Sequence, residues 1–300
     1  MPKSTPAPSS TTAALFCLLV LCGALPSSGQ LAWTLRLEQD ITNLAVLDLQ
    51  TAETEPAAEV DLEVVNAMTR GPSGDLYILG AALFGEIDST LYRLDPVSFE
   101  LEEIGPLGLP NPPFVKDIAA LPDGRLLMSA EVGVPAGLYV IDPATADTTL
   151  VAETDEPILT LATLGDRVLA GYRNSDDEYG LYAVDPGTAA LTFLHPLPDN
   201  LFGFSNAMAT GLDGRLYISG DFFPPVTPPI LFRVTSTIDP STGESEIFTS
   251  SSTADFSTYR GLTLIDASLA VAIPVGSPVG QMVLLTLLLI SGLAAIRYRL

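Results

Sequence analysis

The sequence predicts an all-β protein: a β-propeller of five four-stranded blades, with one blade shared between the N- and C-terminal ends of the domain. Three observations predict it. A hydrophobic run ending in Asp, with a hydroxyl residue three places later, recurs five times at spacings of 47, 47, 43 and 54 residues. A second unit, two short apolar strands around a polar turn, alternates with it. The domain also starts on one half of a repeat and ends on the other half, so the two ends together complete a fifth unit and close a ring without an exposed edge.

The Asp-containing copies are LAVLDLQT (Asp48, Thr51), LYRLDPVS (Asp95, Ser98), LYVIDPAT (Asp142, Thr145), LYAVDPGT (Asp185, Thr188) and TSTIDPST (Asp239, Thr242). An alternating strand runs into Asp, whose carboxylate bonds backbone N–H groups two residues on, and Pro presets φ for a tight turn. Each copy therefore reads as a strand entering a hairpin, completed by a β-rich run such as ELEEIGPL, TTLVAE or LTFLHPL. The alternating units are AMTRGPSGDLYILG, IAALPDGRLLMSA, LATLGDRVLAGY, AMATGLDGRLYISG and the diverged GLTLIDASLAVA, whose PSGD, PDGR and LDGR are turn sequences. The half-units run from Trp33 to about Leu62 and from Tyr259 to Ile273. A sixth blade fits only if residues 221–257 hold an extra hairpin.

Two apolar segments flank this body. Residues 13–25, AALFCLLVLCGAL, follow a Ser/Thr/Pro-rich start and precede PSSG, the pattern of a secretory signal peptide covering 1–29. Cys17 and Cys22 both lie inside it, so the exported chain, 30 onward, has no thiol for a disulfide or metal site. Cys22 also permits a lipoprotein reading, against which stands the bulky Leu21 before it. Residues 281–296, QMVLLTLLLISGLAAI, form a short apolar span closed by Arg297 and Arg299. The positive-inside tendency leaves the body, 30–272, outside the cytoplasm and the arginines inside.

Between these segments lie all 36 acidic residues and ten basic ones, a net charge of −26 for the body. Such a surface repels phosphate backbones and excludes nucleic-acid binding. It serves solubility or attracts cations such as Ca²⁺.

Catalytic signals are sparse. His195 is the single histidine, at the end of an outer strand, and no GxSxG, P-loop or HExxH pattern accompanies it. Acids on the loops of one propeller face, Glu86, Asp88, Glu131, Asp176, Asp177, Glu178, Asp199 and Asp221, are candidates for carboxylate chemistry, or for Ca²⁺ in the run RNSDDEYG. The innermost strands begin with Asn66, Lys116 and Asp117, Asn206, and Tyr259 and Arg260, a polar ring at the central tunnel that serves ligands, structure or buried water. The candidate ligand set is Asn66, Asp117, Asn206, Asp176, Asp177 and Glu178. Aromatic and proline-rich loops, NPPF (111–114), DNLFGF (199–204) and DFFPPVTPP (221–229), read as a surface for a protein or glycan partner or as plugs between blades.

Two resemblances add to this. The segment IPVGSPVG, with Ile273, Pro274, Ser277 and Gly280, resembles the start of the IPTL-CTERM sorting signals, with Val275, Gly276 and Val279 standing where that pattern has Thr, Leu and Trp. It implies processing by an exosortase-type enzyme at the inner membrane of a Gram-negative-type bacterium, and a location in the periplasm, outer envelope or cell surface. The other reading of 273–300 is a plain single-span anchor. The body resembles secreted NHL- and YncE-like propellers in repeat style only, which implies a scaffold. The sequence thus supports a binding or interaction module, with a Ca²⁺-dependent hydrolase or lactonase in the funnel, or a purely structural envelope protein, as the alternatives.

Overall fold

A computed structural model describes residues 31–265, apart from 39–40, 52, 63, 82–88, 110–113, 132–134, 175, 177, 199–204, 212, 223–230 and 254–257. Twenty strands run through it. They are β1 (Leu31–Glu38), β2 (Ile41–Asp48), β3 (Thr54–Val60), β4 (Val64–Arg70), β5 (Leu76–Ala81), β6 (Ser89–Leu94), β7 (Leu101–Pro106), β8 (Phe114–Ala120), β9 (Leu126–Glu131) and β10 (Gly137–Ile141). Then come β11 (Thr148–Glu153), β12 (Ile158–Leu164), β13 (Arg167–Arg173), β14 (Tyr179–Val184), β15 (Leu191–Pro196), β16 (Ser205–Thr210), β17 (Leu216–Phe222), β18 (Leu231–Ile238), β19 (Ser245–Thr253) and β20 (Thr258–Leu264).

The strands form five four-stranded antiparallel sheets: β20-β1-β2-β3, β4-β5-β6-β7, β8-β9-β10-β11, β12-β13-β14-β15 and β16-β17-β18-β19. The first strand of each sheet touches its counterparts on both sides, so β4, β8, β12, β16 and β20 close a ring around a central axis. This is a five-bladed β-propeller. Residues 221–257 contribute β17, β18 and β19 of one blade rather than a sixth.

The shared blade divides differently from the expected halves. Leu31–Glu38 pairs with β2 along its whole length, Leu31 opposite Asp48 through Glu38 opposite Ile41, and so takes the second position in the blade. Only the innermost position is left for the C-terminal strand, and the blade is built three-plus-one. Segment 266–272, expected as a further strand, lies outside the described residues.

Five hydrophobic clusters fill the five wedges between neighbouring blades. Trp33, Leu35, Leu44, Val46 and Val60 pack on Val65, Met68, Leu76, Ile78 and Leu94 in one wedge. The wedge that closes the ring is leaner, with Ala32, Leu47 and Leu49 meeting Ala207, Ala209 and Tyr217. Inner strands are covered by neighbouring blades on both sides, so that in β8 Val115, Asp117, Ile118 and Ala119 are all buried. Outer strands such as β11 and β15 leave alternate residues in solvent.

The Asp turns show why the repeat needs its hydroxyl. In all five, the Asp carboxylate accepts from the N–H two residues on: Gln50, Val97, Ala144, Gly187 and Ser241. The hydroxyl of Thr51, Ser98, Thr145, Thr188 or Thr242 then accepts from the N–H two residues beyond itself. Two side chains thus satisfy donors that the reversing backbone leaves unpaired. The N–H bonds hold the carboxyls of Asp95 and Asp185 below the usual range, as do the Ser241 hydroxyl and N–H for Asp239.

Candidate functional site

In this topology the turns between first and second strands, and the Asp turns, share one face. The connections between second and third strands and between blades share the other. The sequence placed its candidates on that second face.

Of the polar ring, Asn66 is half-buried on β4. Lys116, at the equivalent position on β8, forms an ion pair with Glu131 at 2.5 Å and lies 4.6 Å from the ring centre of Phe114. Strands β16, β17 and β20 carry Asn206, Asp221, Tyr259 and Arg260 at their backbone positions, but the side chains of these four lie outside the described residues. So do Glu86, Asp88, Asp177, Asp199, loops 111–113 and 223–229, and the sorting-motif residues Ile273, Pro274, Ser277, Gly280, Arg297 and Arg299.

Asp117 behaves differently from a ligand on an open rim. It is 2% exposed at mid-height in the tunnel. One carboxylate oxygen accepts from the Ile118 N–H and the other from the Leu161 N–H of the next blade, both at 2.9 Å. The Met208 N–H, one blade further round, is a third donor. The carboxyl therefore bridges three inner strands, β8, β12 and β16, as a crosspiece. Burial pushes its pKa well up, and the three N–H groups pull less strongly the other way.

Asp176 and Glu178 lie far from the axis, in the exposed hairpin between β13 and β14. There the Asn174 side-chain oxygen accepts from the Asp176 N–H at 3.0 Å and the Glu178 N–H at 2.9 Å. The structure does not bring them to Asn66 or Asp117. Among the described residues no three His, Cys, Asp or Glu side chains converge as a metal set. His195 is half-buried on β15 against the Asp239 turn of the next blade, where a Cβ on Gly243 would lie 2.6 Å from the His195 Cβ. It packs; it does not face the tunnel.

What the inner strands do enclose lies below Asp117. A cavity of about 200 Å³ is lined by Thr69, Arg70, Ala120, Leu161, Ala162, Thr163, Met208, Ala209, Thr210, Leu262, Thr263 and Leu264. A wider depression of about 460 Å³, floored by the turn Gly71, Pro72, Ser73 and Gly74 and by Leu121 and Pro122, shares Arg70, Ala120 and Thr163 with it. The cavity is thus entered from the face opposite to the expected one.

Its mouth is a five-residue ring read from the register. Arg70, Ala120, Thr163, Thr210 and Leu264 pair with Leu76, Leu126, Val168, Leu216 and Ala32, the equivalent positions of the second strands. The Thr163 hydroxyl donates to the Ala120 carbonyl at 2.6 Å, and the Thr210 hydroxyl to the Thr163 carbonyl at 2.7 Å. The rim is therefore stitched blade to blade. Sequence reasoning missed Arg70, although aligning the repeats would have found it, since the other copies have Ala, Thr, Thr or Leu at that position.

No family model matches the chain. No curated protein matches it either. Among solved structures it is similar to TolB from Acinetobacter baumannii, with a TM-score of 0.47, 13% identity, and coverage of 84% of this chain and 71% of that one. A chain of a nidogen/laminin complex gives a TM-score of 0.49 at 10% identity, covering 78% of this chain and 98% of that one. A puromycin hydrolase gives 0.41 at 13% identity, covering 77% of this chain and 38% of that one. At these identities the likeness concerns the fold alone.

Proposed function

We propose that this chain is an exported, envelope-associated propeller that acts as a non-catalytic binding module. The observation that carries the reading is the state of Asp117: the best-placed tunnel acid has both oxygens committed to backbone N–H groups of three blades, and Asp176 and Glu178 sit on a peripheral hairpin. A Ca²⁺-dependent hydrolase needs such oxygens free and convergent.

Export and anchoring rest on the sequence. The apolar run 13–25 and the span 281–296 with its terminal arginines support translocation of the body, at least transient anchoring in the inner membrane through the tail, and processing of that tail by an exosortase-type enzyme. Among the described residues no helix is long and apolar enough to cross a membrane, and both segments lie outside them.

The test is a thermal melt of residues 30–272, which hold all twenty strands, with and without millimolar Ca²⁺. The binding-module reading expects no shift. A rise of several degrees reversed by chelator moves the funnel hydrolase ahead of it. Mass analysis of the full chain expressed in a Gram-negative host tests the rest: the mature protein is expected to begin near Gln30.

A further inference from the structure

We infer that the cavity below Asp117 is a binding pocket for a small aliphatic monocarboxylate, its carboxylate held by Arg70 at the mouth and its hydrocarbon tail in the tunnel. This deepens the binding-module reading by naming a ligand class, and it fails separately from it.

Arg70 selects the head group of the ligand. Its side chain is half-buried and lines both the cavity and the outer depression, so it stands at the neck between them. Among the described residues it has neither a hydrogen bond nor an ion pair. That is unusual in a body of net charge −26, where carboxylates are abundant. Three acids in the turns of this face bond to other groups. Asp75 accepts from the Ser73 hydroxyl at 2.9 Å, Asp123 from the Arg125 guanidinium, and Asp213 from the Tyr217 hydroxyl at 2.9 Å. The guanidinium is left with its planar fork of donors for an incoming anion, and a carboxylate is the group that fork matches in pairs.

The walls choose the rest of the ligand. Inward of the mouth ring Leu161, Ala162, Met208, Ala209 and Leu262 line the cavity together with Thr69 and Thr263, and the hydroxyls of Thr163 and Thr210 on the ring donate to carbonyls. Past the neck the lining holds aliphatic side chains and no second cation. One guanidinium neutralises one charge, so a dianionic phosphate ester is left half-compensated in an acidic protein. A volume of about 200 Å³ is below the range for drug-sized molecules and suits a handful of heavy atoms. The pocket is blind, because Asp117 ties Leu161 and Met208 across the axis immediately beyond it.

The experiment is calorimetric titration of the full chain with butyrate, butyramide and inorganic phosphate, repeated on R70M and A120L. Saturable butyrate binding is expected, weakened at least tenfold in R70M and at least tenfold for butyramide. A120L, a substitution at the neck, is expected to block it. Unchanged Trp33 emission shows that each variant is folded. Absence of butyrate binding to the wild type overturns the inference. So does equal binding by R70M, or phosphate binding as tight as butyrate, which marks a simple anion patch. Any of these leaves the Ca²⁺ melt, and with it the broader reading, untouched.

Discussion

Replacing Asp117 with alanine removes the acceptor for three backbone N–H groups on the inner strands. Each buried donor left unpaired costs about 1–3 kcal/mol, so even the low end amounts to about 3 kcal/mol. The loss is spread over β8, β12 and β16, since the donors are Ile118, Leu161 and Met208. D117N keeps one acceptor oxygen in place and is expected to lose about half as much. Urea unfolding of the wild type and both variants, followed by the emission of the single tryptophan, Trp33, which is 2% exposed, reads the difference.

A pH series tests the charge on the same carboxyl. Burial raises its native pKa above the unfolded value of about 3.9, so the native state holds a proton that the unfolded chain has already released. Its stabilising contribution is then fully present below about pH 4 and is lost as pH rises through the native pKa, at up to about 1.4 kcal/mol per pH unit. D117N lacks that slope, so wild-type stability relative to D117N should fall as pH rises from 4. A D117A variant that unfolds within about 1 kcal/mol of the wild type refutes the role of Asp117 as a crosspiece. The electrostatic part fails if the difference grows with pH, which would mean that the three N–H donors outweigh burial.

Other parts of the ring carry their own tests. Gly261 has φ +67° and a Cβ there would stand 2.7 Å from the Met68 backbone nitrogen, so G261A should push β20 from β4 and cost about 3 kcal/mol in chemical unfolding. T210V deletes the 2.7 Å bond to the Thr163 carbonyl and should lower stability by about 1 kcal/mol, seen as a shift in urea midpoint with unchanged slope. A chain ending at residue 257 lacks β20 and exposes the edge of β1; it is expected to lose cooperative thermal unfolding, and Trp33 emission should move to the red.

Much of this architecture was legible in the chain. The period of the Asp turns, set by bonds between residues two apart, is local chemistry, so DPVS, DPAT, DPGT and DPST mark the same hairpin wherever they stand. Five copies and complementary ends therefore announced five blades and a shared one. The division of that blade was not legible. Whether Leu31–Glu38 pairs with β2 or leaves room for a second C-terminal strand depends on a register between segments more than 200 residues apart, Ala32 opposite Leu264.

The candidate site divides the same way. Residue type alone marked Asn66, Asp117 and Asn206 as an inner polar level, whereas the register puts Asn66 and Asn206 level with Lys116 and Asp117 one residue further along. Whether an acid there is open or consumed depends on which backbone donors three different blades aim at it, and only the closed ring brings Leu161 and Met208 to Asp117. The same holds for Arg70, one arginine among ten basic residues of the body until the ring sets it at the neck of a cavity. By itself the sequence determined the repeat, the turn chemistry and the apolar alternation, because these rest on neighbours within a few residues. The tertiary structure alone decided the blade split, the crosspiece and the face on which the cavity opens, because each depends on contacts between strands from different blades.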